Sequence, residues 1–110
     1  MSAAERASRG IARAVRNGSY RITAHAEQER EADAIAISEI DEAFGLAGPD
    51  ILEDYPEDPR GHSVLVLGYT RAGKPLHAVI GISRLDLVIF VTIYRPNPRS
   101  WDNWRRRKNP

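Results

Sequence analysis

No cysteine occurs anywhere in the 110 residues. That excludes a disulfide framework, a thiolate zinc site and a cysteine nucleophile. The chain also has no run of about 18 apolar residues, so no membrane-spanning helix is expected. Its opening, MSAAERASRG, lacks the apolar core of a secretory leader, and a cytoplasmic protein is the expectation. The Gly73-Lys74 step has neither the glycines nor the following helix of a phosphate loop. No nucleophile elbow and no Ser-His-Asp order is present, which removes serine-hydrolase chemistry. Internal repeats and low-complexity linkers are missing as well. What remains is a single domain over residues 1–110, large enough to bury roughly two-thirds of the surface its unfolded chain exposes.

The formal net charge is only +1, but it is unevenly spread. Residues 1–21 hold five arginines against Glu5, and residues 27–58 hold twelve acids against Arg30. Residues 95–110 return to basic, with five arginines and Lys108 against Asp102. Basic ends on an acidic middle suit two uses: binding nucleic acid and a basic partner, or neutralising each other.

Ser2 and Glu5 have capping-box spacing and open a first helix over 1–18, whose thin stripe is Ala4, Ala7, Ile11, Ala14 and Val15; Asn17-Gly18 ends it. Tyr20 to Ile22 reads as a short extended stretch. Thr23 caps a second helix through about Asp33, and Ser38 with Asp41 caps a third, stopped by Gly48-Pro49. Strands are expected over Asp50–Tyr55, Ser63–Thr70, Pro75–Ser83 and Leu87–Tyr94. Alternation puts Leu76, Ala78, Ile80 and Ile82 on one face, with His77, Val79 and Gly81 on the other. In the last strand Leu87, Ile89, Val91 and Ile93 share a face, opposite Val88, Phe90, Thr92 and Tyr94. Helices followed by consecutive strands predict an α+β fold, two to three N-terminal helices packed on one face of a four-stranded antiparallel sheet. A basic C-terminal tail over 102–110 follows. The segment from Pro96 on is too polar and basic to join a sheet, with Trp101 anchoring it and Trp104 a second candidate.

His25 falls in the first turn of the second helix, where the macrodipole disfavours an imidazolium and suits the ring to act as a base. Glu29 and Asp33 follow at four-residue intervals on one helical face, placed to orient the ring or to meet a partner. Three ligands in that row would span about 12 Å of helix, too far for one ion, so no metal and no cofactor is expected. His77 lies mid-strand, either a hydrogen-bonded core histidine or a catalytic one, and one hairpin register brings it near Tyr94. His62 sits in a loop. Two histidines acting as acid and base cleave RNA without metal when a cation stabilises the phosphate, and Tyr94, Arg95 and Arg99 suit that surrounding role. Glu53 and Asp54 are adjacent and face opposite ways on a strand, which favours structural use. Trp101 and Trp104, with Arg105 to Arg107 beyond them, have the makings of a base-stacking tail.

The ordered motifs ITAHAEQEREADAI, ILEDYPEDPRGHSVLVLGY, GKPLHAVIGIS and VTIYRPNPRSW resemble the domain of unknown function 4258 family over a core of residues 20–101. The resemblance implies a fold similar to small toxins of the RelE and barnase-like ribonuclease group. It implies His25, His77 and Tyr94 as the polar positions to watch, with Trp101 closing the pattern, and a small zinc-finger antitoxin-like protein as partner. Together with the residue chemistry, the expectation is an endoribonuclease with His25, His77 and Tyr94 catalytic and Arg95, Arg99 and Trp101 on RNA. A homodimer stays open. Where relatives carry basic residues after the helix histidine, this chain has Glu29 and Asp33, which would repel phosphate. The alternatives are a non-catalytic protein-binding module and a nucleic-acid binder using the Trp-Arg tail.

Overall fold

The computed structural model describes residues 1–108; residues 109 and 110 of the expected tail lie outside them. In chain order the elements are α1 (Ala3–Arg16), β1 (Tyr20–Ile22), α2 (Ala24–Ala32), α3 (Ile37–Gly45), β2 (Asp50–Tyr55), β3 (Ser63–Tyr69), β4 (Pro75–Gly81), β5 (Val88–Tyr94), β6 (Trp101–Asp102) and β7 (Arg106–Arg107).

Local chemistry accounts for the helices. The full capping box of Ser2 and Glu5 opens α1, and Gly18, at φ +70°, closes it in the left-handed conformation that glycine takes without cost. The Thr23 hydroxyl accepts the N–H of Ala26 and starts α2. Ser38 does not cap α3, which begins after Ala36. Glu39 takes the Ala36 N–H, and Ile35 and Ile40, both buried, occupy the positions of a hydrophobic staple across that start. The apolar staple overrides the serine.

The four-stranded antiparallel sheet expected above is wrong. The sheet has five strands in the order β1-β5-β4-β3-β2, with β1 parallel to β5 and the other pairs antiparallel. Tyr20, Arg21 and Ile22 pair with Val88, Ile89 and Phe90. The parallel pair joins segments separated by most of the chain, so no turn between them marks it. The tail was too polar by composition to join a sheet, yet β6 and β7 form a second, two-stranded one.

One face of the large sheet carries the helices. Ile11, Ala26, Ile40 and Phe44 pack on Val64, Val66, Leu76, Ala78, Ile80, Val88, Phe90 and Ile93, all buried. Gly68 permits the closest approach: a Cβ there would stand 2.1 Å from the carbonyl oxygen of Ala43 in α3. The other face holds Leu65 and Leu67, each 1% exposed, because the tail crosses it and buries Trp101. Arg105 pairs with Asp50 at 2.7 Å and Arg107 with Glu53 at 2.9 Å. So the basic tail is held by the acidic middle of the chain through these pairs.

Candidate active site

Two β-bulges decide which side chains meet beneath the tail. In β2, Ile51 pairs with Val66 but Glu53 pairs with Leu65, leaving Leu52 as the extra residue. In β5, Phe90 pairs with Ile80 but Thr92 pairs with Val79, leaving Val91 extra. Each extra residue reverses the alternation beyond it. Ile93 therefore turns to the helix face with Phe90, correcting the expected grouping, and Tyr94 turns to the tail face opposite His77. By the same device Glu53 and Tyr55 join that face. At the β5 bulge the Thr92 hydroxyl accepts the Val79 N–H, replacing a ladder partner.

His77 lies at the centre of the resulting cluster and is fully buried. Its Nε2 stands 2.6 Å from the carbonyl oxygen of Trp104. A carbonyl only accepts, so Nε2 carries the proton and Nδ1 accepts the Tyr94 hydroxyl at 3.1 Å. Burial lowers the pKa of the ring, and the nearby Arg107 charge lowers it further against the pull of the Trp104 carbonyl. Trp101 meets the imidazole edge-on, with centroids 4.5 Å apart, and the Arg107 guanidinium lies 4.7 Å from the centroid of the Trp101 ring. Arg107 donates Nε and Nη2 to Glu53 at 2.9 and 3.1 Å, and the Tyr55 hydroxyl donates to Glu53 as well.

These contacts set the charges. The Arg107 fork holds the Glu53 carboxyl below its usual range, and Glu53 in turn raises the guanidinium. Burial raises both phenols, Tyr55 and Tyr94, the latter to about 12 despite the opposing Arg107 charge. At neutral pH the cluster therefore holds a carboxylate, a guanidinium, two intact phenols and a neutral imidazole.

The structure brings His77, Tyr94 and Trp101 together and places the other candidates elsewhere. His25 sits at the start of α2, its side chain 66% exposed, with Nε2 3.4 Å from Glu29. Glu29 accepts the Ile93 N–H at 3.1 Å and Asp33 the Arg95 N–H at 2.9 Å. The two acids cap the stretch of β5 that β1 is too short to cover. Arg95 turns to the α2–α3 junction, donating to the carbonyls of Asp33 and Ala34 and to Glu39. Arg99 is exposed in the turn before β6, and His62 pairs with Asp54. Glu53, Tyr55 and Arg107 were not assigned to the site from sequence. The i, i+2 spacing of Glu53 and Tyr55 was a usable signal; nothing local marked Arg107 among its neighbouring arginines.

The family model for a domain of unknown function, DUF4258, matches residues 22–95. The chain belongs to the DUF4258 family. The matched stretch runs from the end of β1 to just past β5 and includes Glu53, Tyr55, His77 and Tyr94. Trp101, Trp104 and Arg107, which complete the cluster, lie beyond the DUF4258 match, as does α1. No curated protein and no solved structure matches the chain. Among the described residues no helix is long and apolar enough to cross a membrane.

Proposed function

We propose that this chain is a metal-independent endoribonuclease domain of the toxin type, acting on the tail face of its sheet. The observation that carries the reading is the convergence of Glu53, Arg107 and Tyr94 around a buried neutral imidazole. Glu53 takes the proton of a ribose 2′-hydroxyl as that oxygen attacks the adjacent phosphorus. Arg107 supplies the positive charge for the phosphate oxygens through Nη1, the nitrogen not bonded to Glu53. The Tyr94 phenol turns from His77 and protonates the 5′-oxygen as its bond to phosphorus breaks. A 2′,3′-cyclic phosphate and a 5′-hydroxyl result. His77 is the positioning residue for Tyr94 in this scheme, since both of its ring nitrogens are engaged inside the fold. The grouping with RelE and barnase-like toxins, the cytoplasmic setting and the small zinc-finger antitoxin-like partner belong to the same proposal and rest on the family resemblance.

The test is cleavage of end-labelled RNA in EDTA by the wild type, Glu53→Gln and Tyr94→Phe, each shown folded by circular dichroism. The wild type is expected to leave cyclic-phosphate ends, and each variant to lose about 100-fold or more in rate. Intact RNA with folded wild type, or equal cleavage by both variants, overturns the reading.

A further inference from the structure

The tail covers only one end of its sheet face. Four residues along β4 from His77, on the same side, Gly81 opens the floor of a cavity of about 300 Å³. Ile89 and Val91 extend the floor, and Ser63, Ser83 and Thr23 line it, the Ser63 hydroxyl donating to Asp58 and the Thr23 hydroxyl to the Val91 carbonyl. Arg60 and Arg84 stand at the edge. Both guanidiniums are clamped in the same way. Arg60 donates Nε and Nη2 to the two oxygens of Asp58, and Arg84 donates the same pair to the two oxygens of Asp86. Their side chains are nonetheless 65% and 67% exposed. A guanidinium held by a carboxylate in this way is a rigid flat cation, and its exposed face suits stacking on an aromatic ring.

We propose that this cavity is a nucleobase subsite, taking one unstacked base of single-stranded RNA against its apolar floor and flat guanidinium edge. The inference rests on the ribonuclease reading, and it gives that reading its substrate class. Gly81 and His77 are about 13 Å apart along the strand, a distance that a short piece of extended RNA backbone spans. Single-stranded RNA is recognised in this way, by bases splayed onto apolar, aromatic or guanidinium surfaces with hydroxyls meeting their edges. The missing side chain at Gly81 leaves room for the ring. A Cβ there would meet only Ile89, at 3.6 Å, an ordinary contact. Gly81→Val therefore fills the cavity without straining the strand, where valine is favoured over glycine.

The experiment is a nuclear magnetic resonance titration of the full chain with each of the four 5′-nucleoside monophosphates. The wild type and Gly81→Val are compared. At least one nucleotide is expected to bind saturably in the millimolar range or tighter. Gly81→Val is expected to weaken it about tenfold or more. Absence of saturable binding by all four, or equal binding by Gly81→Val, overturns the subsite and leaves the cleavage test of Glu53 untouched. Nucleotide binding by a wild type that leaves RNA intact supports the subsite and sinks the ribonuclease.

Discussion

His77 donates from Nε2 to the carbonyl oxygen of Trp104, 27 residues further along the chain. The turn that presents this carbonyl is tight: the Arg105 N–H returns to the Asp102 carbonyl, and Asn103 and Trp104 have φ of +52° and +64°. Tryptophan in that conformation costs on the order of 1–2 kcal/mol. Burial of Trp101, the ion pairs of Arg105 and Arg107 and the His77 bond offset that cost together.

Acid should weaken the fold through this histidine. The pKa of His77 is lowered in the folded state from an ordinary value of 6.5. Below that value the unfolded chain binds the proton more readily, so the contribution of His77 is full above about pH 6.5 and declines as pH falls. Urea unfolding from about pH 7.5 down to about pH 5.5 should show the wild type losing more stability than His77→Gln. His77→Ala, which leaves the Trp104 carbonyl without its donor and opens a cavity, should cost about 2–4 kcal/mol at neutral pH. An unchanged pH slope in His77→Gln would show that the ring does not govern the acid response.

The caps on β5 should be worth measuring one at a time. One turn of α2 matches two residues of strand, so Glu29 and Asp33 meet the N–H groups of Ile93 and Arg95 in step. Replacing either acid by alanine is expected to cost about 1–3 kcal/mol and to speed hydrogen exchange at the matching amide. Glu29→Gln keeps an acceptor and should be milder. Unchanged exchange at Ile93 in Glu29→Ala would refute the cap.

Gly68 should tolerate nothing larger. An added methyl group meets the Ala43 carbonyl at 2.1 Å and the Phe44 ring at 3.0 Å, so Gly68→Ala must push α3 away from β3. A loss of about 1–3 kcal/mol is expected from such overpacking, read as a lower urea midpoint. Gly81→Val, on the open face, should unfold no earlier than the wild type.

The pH profile of cleavage separates Glu53 from a histidine base. With the carboxyl held below its ordinary value of 4.5 and Tyr94 raised to about 12, the rate should stay level between about pH 5 and pH 9. An acid limb near pH 6.5 would instead assign the base to a histidine, and His25→Ala would then identify it.

Periodicity and capping residues determined much of this protein in advance: the N-terminal helix, the strands from Asp50 to Tyr94 and the alternation along β4, with His77 near Tyr94 as one open register. These are local features, settled by spacing along one segment or by a short hairpin. Only tertiary structure decided the rest. The extra residues Leu52 and Val91 leave no local mark, yet each reverses every side chain beyond it, and so Glu53, Tyr55 and Tyr94 share a face. The β1–β5 pair and the tail laid over His77 join residues distant in sequence, and composition says nothing of such contacts. Glu29 and Asp33 read as a functional row because their helix spacing is visible in the chain. The two free strand amides that they serve become visible only when α2 lies along the edge of β5.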